Sequence, residues 1–308
     1  MPTVAELLQE GLLRLRESGS ESARLDAELL LGHVAGLDRT ALLAHPDAVV
    51  PDGATARYRE ALERRETGEP VAYIRGLKEF YGLAFAVDPR ALIPRPETER
   101  LVELAEEEIV RRLVVGPRLP GARPIEIVEV GTGSGAAVIA LAVSLRRRGM
   151  LDEVRLLATD VSRDAADLAR ENAVAHAVAD RIDVAVADLF PGATGPWDVL
   201  LANLPYVRAD AIAGLPKAAG FEPRVALDGG PDGLAVIGRL LNALPGALTR
   251  DGVALLEIGG DQGMAIVDEV EQRLPGWSCR VELDLAQQPR VARIERANRR
   301  TGLAEQGA

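Results

Sequence analysis

The sequence predicts an α/β fold: a doubly wound, Rossmann-like sheet, mostly parallel with an antiparallel C-terminal strand, preceded by a small bundle of helices. After Pro124, short apolar runs of strand length alternate with amphipathic stretches of helix length, the pattern of parallel βαβ units. The first apolar run is followed at once by a glycine cluster and then by a helix, as in nucleotide-binding folds. Before residue 69, apolar residues recur at helical spacing, which predicts the bundle.

Three helices are predicted in the bundle. The first has apolar residues at helix spacing from Val4 to Leu12 and ends before Gly19. The second covers about 20–34, with a serine at its start as a plausible cap, and the third covers about 55–66 and ends at Gly68. Short amphipathic helices of this kind can bury their apolar faces against one another.

The composition changes after this bundle. Aromatic and β-branched residues between glycines predict a hairpin or connector, and Pro94 and Pro96 prevent a helix from beginning before Glu97. The predicted division is an N-terminal helical domain at 1–68, a hairpin or connector at 69–96, an α/β domain at 97–297 and a disordered tail at 298–308.

The α/β domain is predicted to alternate strands with helices. The carboxyl ends of parallel strands share one edge of the sheet, where ligands bind in open α/β folds. The predicted strands are 125–130, 154–160, 181–188, 197–206, 252–259, 277–285 and 290–296. The predicted helices run from Glu97 through Ile109, from the glycine cluster through Leu145, over 163–175 and over 234–244.

Composition disfavours several classes of protein. A chain of 308 residues with 47% hydrophobic residues can form two domains with real cores. Its formal net charge of −11 disfavours general binding of nucleic acid or anionic membranes. Cys279 is the single cysteine, so no internal disulfide and no metal site is predicted. Without a signal-peptide pattern or a membrane-length apolar run, a cytoplasmic location is expected.

The glycine cluster "EVGTGSG" predicts a cofactor site. Glycines let the backbone turn sharply and let a ligand approach closely, and the following helix offers free N–H groups to an anion. Asp160 ends the second strand, where an acid can accept hydrogen bonds from ribose hydroxyls, and Asp188 ends the third. The candidate cofactor residues of the cluster are Glu129, Gly131, Thr132, Gly133, Ser134 and Gly135.

The glycines alone leave alternatives open. A glycine-rich turn without a ligand is one. A nicotinamide enzyme is another, because Gly131, Gly133 and Ala136 satisfy the looser dinucleotide pattern. The end of the fourth strand argues against both alternatives, since neither a ligand-free turn nor a dehydrogenase needs Asn-x-Pro-Tyr there.

The tetrapeptide Asn203-Leu204-Pro205-Tyr206 suits the methylation of an amide or aromatic amine. Such a nitrogen is weakly nucleophilic, so an enzyme gains by accepting hydrogen bonds from both N–H groups and aiming the lone pair. The side-chain carbonyl of Asn203 and the backbone carbonyl of Leu204 can be the two acceptors, and Pro205 restricts Leu204 to extended conformations. Tyr206 can stack on the flat group. The plain alternative is a strand that ends in an Asn turn.

Several stretches together resemble the HemK/PrmC family. They are "GEPVAYIRGLKEFYGLAFAVDPRALIPRPETERLVE", "EVGTGSG", "ANLPY", "EPRVALDGGPDGL" and "LLEIGGDQG", and the likeness extends over the N-terminal "ARLDAELLLGHVAGLDRTALLAHPD". The resemblance implies the Rossmann-like fold of S-adenosylmethionine-dependent methyltransferases. It implies methylation of the glutamine amide in the Gly-Gly-Gln motif of class I peptide chain release factors. Because of the acidic net charge, no direct nucleic-acid or membrane partner is expected.

The resemblance also implies roles for particular residues. The segment 131–135 should embrace the methionine part of S-adenosylmethionine, and Asp160 should hold its ribose. Asp188 and Leu189 should border the adenine. The segment 203–206 should grip the glutamine amide, with its asparagine also near the cofactor, and the helical bundle should help to dock the release factor.

One residue departs from the family pattern, which usually has proline where this chain has Leu204. The acceptor assigned to this position is a backbone carbonyl, so the substitution need not remove it. Asn-Leu-Pro-Tyr also occurs in dimethyladenosine transferases of ribosomal RNA, which keeps an rRNA or DNA amino-methyltransferase open. A glutamine methyltransferase acting on a ribosomal protein and a non-catalytic cofactor-binding module are further alternatives.

Overall fold

The computed structural model describes residues 1–114, 123–192 and 195–297. The tail predicted at 298–308 lies outside the described residues. The chain forms two compact units. The first comprises Met1–Lys78, Val87–Pro89 and Leu215–Glu222, and the second comprises Glu79–Ala86, Arg90–Gly214 and the chain from Pro223 onward. No helix among the described residues is long and apolar enough to cross a membrane.

The first unit is helical, as predicted. Thr3 caps its first helix, because its hydroxyl accepts the N–H of Glu6 while the Glu6 carboxylate accepts the N–H of Thr3. The apolar faces meet in a core in which Leu7, Leu30 and Tyr58 are fully buried. The helices are α1 (Val4–Glu17), α2 (Ala23–Ala35), α3 (Arg39–Ala44), α4 (Asp52–Glu66) and α5 (Val71–Arg75).

Two short helices of this unit were not predicted. Asp38 caps α3 by accepting the N–H of Ala41 at 2.7 Å, but a helix of six residues shows too little periodicity to be recognised. The residues of α5 have a strand-like composition. Pro70 is the N-cap of α5, and Gly76 ends the helix in the left-handed region at φ 66°.

A two-stranded hairpin follows, formed by β1 (Leu77–Phe80) and β2 (Leu83–Ala86). Its turn places Tyr81 and Gly82 at φ 53° and 68°. Phe80 and Phe85 from the hairpin are buried in the core of the second unit.

The second unit contains a seven-stranded sheet of order β5-β4-β3-β6-β7-β9-β8. The first five strands of that order are parallel, and β9 pairs antiparallel with both β7 and β8. This confirms the predicted fold class. The strands are β3 (Ile125–Val130), β4 (Val154–Asp160), β5 (Ile182–Val186), β6 (Trp197–Ala202), β7 (Leu248–Glu257), β8 (Trp277–Leu283) and β9 (Pro289–Arg296).

Helices cover both faces of the sheet because neighbouring strand residues point to opposite sides. Ile127 packs in a core with α6 and α7, and Val128 packs in a second core with α9 and α10. The helices are α6 (Thr98–Val114), α7 (Ala136–Arg147), α8 (Arg163–Ala175), α9 (Ala235–Ala247) and α10 (Gly263–Arg273).

The structure corrects several predicted bounds. The fourth strand was predicted to reach Tyr206, but β6 ends at Ala202 and leaves the tetrapeptide as irregular chain. The helix α10 was not predicted, because only Ile266 and Val270 on it are buried and its apolar pattern is weak. The tetrapeptide therefore begins where the sheet ends, which frees its backbone for other contacts.

Candidate active site

A cavity of about 270 Å³ lies at the carboxyl edge of the sheet in the second unit. The structure brings most of the sequence-predicted site residues to its wall; Gly135 and Tyr206 are not among the lining residues. The predicted residues on the wall are Glu129, Gly131, Thr132, Gly133, Ser134, Asp160, Asp188, Leu189, Asn203, Leu204 and Pro205.

The glycine loop between β3 and α7 forms the floor of this cavity. Gly131 and Gly133 have φ values of 76° and 55°, which side chains rarely adopt. The N–H groups of Gly131 and Thr132 both donate to the carbonyl of Thr159 on β4, at 2.8 and 2.9 Å. The loop is therefore anchored to the neighbouring strand, and a Cβ at Gly133 would meet no atom closer than Ala91 Cβ, 3.9 Å away.

Gly135 has a different role from the other two glycines. It is the N-cap of α7 at φ 80°, and a Cβ there would lie 2.9 Å from Ile139 Cδ1 and 3.2 Å from Ala169 Cα. The residue allows α7 and α8 to approach, and the prediction that it binds the cofactor stays a prediction.

Glu129 is a buried carboxyl in the cavity wall. One of its oxygens accepts the hydroxyl of Thr132 at 2.6 Å and the N–H of Val138 at 3.2 Å. Burial raises the pKa of Glu129 to about 8; these two hydrogen bonds oppose the shift and the charge of Asp160 adds to it. A cationic group bound beside this carboxyl would favour its ionised form.

Asp160 ends β4 as predicted, and the backbone holds both of its oxygens. They accept the N–H groups of Gly133 and Ser162, each at 2.8 Å. Burial raises the pKa of Asp160 despite these hydrogen bonds. Because each carboxylate oxygen accepts more than one hydrogen bond, the side chain can also receive ligand hydroxyls.

Asp188 and Leu189 form another part of the wall. The guanidinium of Arg239, from α9, lies 2.5 Å from an Asp188 oxygen, and both side chains are more than half exposed. Leu189 has a φ of 66°, and its carbonyl accepts the hydroxyl of Thr159 at 2.8 Å. That hydrogen bond helps to hold a backbone conformation unfavourable for leucine. Arg239 is a cavity residue that the sequence did not indicate.

Asn203 is held by a residue from a distant part of the chain. Its side-chain nitrogen donates to the hydroxyl of Thr98 at 3.0 Å. Its carbonyl oxygen is then the amide atom left to face a ligand. Thr98 begins α6 within the "IPRPETE" stretch and also lines the cavity.

Leu204 is 6% exposed and packs over the glycine loop. A Cβ added to Gly131 would stand 3.1 Å from Leu204 Cδ2. The Leu204 side chain therefore fills space against the glycine loop. Its backbone belongs to the irregular segment that follows β6.

Tyr206 is not among the residues that line the cavity. Its hydroxyl lies 3.5 Å from an oxygen of Glu257, the last residue of β7. Its carbonyl accepts the side-chain amide of Gln262 at 3.2 Å. Burial raises the pKa of the Tyr206 hydroxyl to about 12. Stacking of this ring on a substrate stays a prediction.

The main chain of the "ALDGGPDGL" stretch forms hydrogen bonds with the main chain directly after the tetrapeptide. Val207 donates to the carbonyl of Leu227 at 3.0 Å and accepts from Gly229 at 2.8 Å. A Cβ at Gly229 would lie 2.7 Å from the carbonyl oxygen of Pro205. Glycine is required there because two segments of main chain are in direct contact.

Sheet order, glycine loop and acidic strand ends together define an α/β enzyme of the S-adenosylmethionine-dependent methyltransferase class. The catalytic domain of hMettl16 in complex with MAT2A 3'UTR hairpin 1 has a TM-score of 0.54 at 15% identity, over 84% of this chain and 85% of that chain. At that identity the likeness shows the fold alone.

Sequence comparisons identify the family. Residues 6–76 match the PrmC N-terminal domain model. Release factor glutamine methyltransferase of Moorella thermoacetica is 39% identical over 92% of this chain and 98% of its own length. The Deinococcus radiodurans protein of the same name is 35% identical over 95% and 98%. The chain belongs to the release factor glutamine methyltransferase family.

Proposed function

We propose that this protein transfers a methyl group from S-adenosylmethionine to the side-chain amide nitrogen of the glutamine in the Gly-Gly-Gln motif of class I peptide chain release factors. The observation that carries the proposal is the position of Asn203. Its oriented amide meets the cavity beside the glycine loop, in a chain whose relatives carry that activity in their names.

The cavity suits this cofactor in charge as well as in shape. S-adenosylmethionine supplies a methyl group activated by a sulfonium, and it also carries an ammonium. The two carboxyls in the wall, Glu129 and Asp160, have raised pKa values because they are buried, and a bound cation would favour their ionised forms. We assign the methionine part to 131–135, the ribose to Asp160 and the adenine to the wall formed by Asp188 and Leu189.

The substrate amide needs two acceptors. We assign them to the side-chain carbonyl of Asn203 and the backbone carbonyl of Leu204, which aim the nitrogen lone pair into the cavity. Orientation of this kind contributes up to about 7–11 kcal/mol in ideal intramolecular reactions. After transfer the nitrogen loses one proton, which we assign to solvent.

The partner is a protein, and we assign to the N-terminal helical unit a part in its docking. The match of residues 6–76 to the PrmC N-terminal domain model supports this assignment of the helical unit. A release factor substrate also supports a cytoplasmic location, which we include in the proposal.

The test is methyl transfer from labelled S-adenosylmethionine to purified, unmethylated release factor. A release factor whose Gly-Gly-Gln glutamine is replaced serves as the control. Label on the first and none on the second is the expected result. Label on a ribosomal protein or on ribosomal RNA alone, with cofactor binding intact, would overturn the assignment of the substrate.

A further inference from the structure

A line of polar side chains runs from the cavity into the protein behind it. Asn203 donates to the Thr98 hydroxyl at 3.0 Å, and the hydroxyls of Thr98 and Tyr206 both interact with the carboxyl of Glu257. Thr98 is 7% exposed and Glu257 only 1%. These residues come from the start of α6, the end of β7 and the chain after β6, so the fold brings three separate segments together.

Glu257 is an unusual residue to bury in this place. Its strand is otherwise apolar where it crosses the core, and one of its oxygens has no hydrogen-bond partner among the described residues. A buried carboxyl with an unsatisfied oxygen destabilises a fold, so a group of this kind calls for a reason other than stability.

The direction of the hydrogen bonds supplies that reason. An ionised carboxylate only accepts, so the Thr98 hydroxyl must donate its proton toward Glu257. The oxygen of Thr98 then presents a lone pair to Asn203, which can satisfy it only with its NH₂ group. The carbonyl of Asn203 is left toward the cavity, where the proposed mechanism needs an acceptor.

We propose that Thr98 and Glu257 are positioning residues that set which end of the Asn203 amide faces the substrate. This rests on the proposed function, since an amide substrate is what requires a carbonyl there. Neither residue touches the substrate in this scheme. Each acts through the next residue in the line.

Protonation of Glu257 reverses the direction of donation along this line of hydrogen bonds. A protonated carboxyl can donate to Thr98, whose hydroxyl proton then turns toward Asn203 and favours the flipped amide, with its NH₂ group facing the substrate's own N–H groups. Burial raises the pKa of Glu257 to about 7. The charge of Glu97 adds to this shift, and the hydroxyls of Thr98 and Tyr206 and the charge of Arg290 oppose it. The tyrosine hydroxyl, with its own pKa near 12, stays neutral in this range.

The first experiment compares Thr98→Val with Thr98→Ser in the full-length protein. Turnover with release factor should fall roughly 10-fold in the valine variant, the size expected for one lost orienting hydrogen bond, and return to near wild type in the serine variant. Cofactor affinity, measured by calorimetry, should stay within about twofold in both. Thr249→Val is the matched control, because that hydroxyl bonds Asp198 at the opposite end of β7, 3.1 Å away.

The second experiment measures turnover as a function of pH. Turnover of the wild-type protein should decline as pH falls through about 7, and Glu257→Gln, which cannot titrate, should lack that inflection. Glu129 has a raised pKa nearer 8, and its contribution remains in the glutamine variant. A residue with a purely structural role would change melting temperature without moving the inflection.

The outcomes separate this inference from the proposed function. Wild-type protein that fails to methylate release factor overturns the function. Wild-type protein that is active, with Thr98→Val equally active or Glu257→Gln retaining the full inflection, overturns the positioning role and leaves the function standing.

Discussion

Replacing Glu129 by glutamine gives a sharp test of the electrostatics of the cavity. The folded protein holds a proton on Glu129 up to a pKa of about 8, against the ordinary 4.5. The folded state therefore binds more protons than the unfolded chain between these values, and the free energy of unfolding falls as pH rises from about 4.5 to 8. At about 1.4 kcal/mol per pH unit the upper limit of this loss is roughly 5 kcal/mol.

The assay is urea unfolding of the cofactor-free protein between about pH 5.5 and 8.5. Glu129→Gln removes the titrating group, so the variant should lose much less stability across that range and be more stable than wild type at the upper end. Glu108→Gln is the control. Arg111, Arg112 and Arg293 surround that buried carboxyl and lower its pKa to about 2, so its loss should destabilise by a constant amount over the whole range.

A parallel measurement follows cofactor binding. The cationic cofactor should pull Glu129 toward its ionised form, so binding near pH 7 should release close to one proton in the wild type and far less in the variant. Calorimetry in buffers of different ionisation enthalpy reports this number. If wild type and Glu129→Gln showed the same pH slope of stability and the same proton release, our account of this carboxyl would be wrong.

Three other substitutions test the site. Asn203→Ala should bind cofactor normally and lose turnover by roughly 100-fold in the methyl-transfer assay, since it removes one of two orienting acceptors; unchanged turnover would refute its assignment. Gly229→Ala should cost roughly 1–3 kcal/mol in urea unfolding, because its Cβ would meet two carbonyl oxygens at 2.7 Å, whereas Gly214→Ala, with nothing within 4 Å, should be near neutral. Leu204→Pro should keep methyl transfer and lower unfolding free energy by about 1–2 kcal/mol from lost packing on the glycine loop; abolished transfer would show that the side chain itself matters.

The fold could be predicted from the sequence where local pattern and tertiary environment agree. The strand at 154–160 and the helix at 163–175 have the predicted bounds, because a buried apolar run and an amphipathic face each carry their own periodicity. The short helix at 71–75 was missed because its composition favours a strand and only its flanking proline and glycine make it helical.

The residues of the candidate site also divide into those that a sequence pattern predicts and those that only the tertiary structure brings together. Asp160 and the glycines were predicted because they sit at strand ends that a parallel sheet must bring together. Thr98 was missed, since its partner Asn203 lies 105 residues away and nothing local marks the pair. Glu257 left one readable signal, an acid at the end of a buried apolar strand.

The place of β9 in the sheet has a consequence for biosynthesis. Among the described residues β9 is the last strand along the chain, yet it lies inside the sheet, and β8 joins the sheet only through it. Until β9 emerges from the ribosome, β7 has an open edge, and Glu257 at the end of that strand lacks Val291, its partner in register. A nascent or truncated chain that lacks β9 thus contains the glycine loop and the tetrapeptide, but one edge of β7, the strand that carries Glu257, stays unpaired.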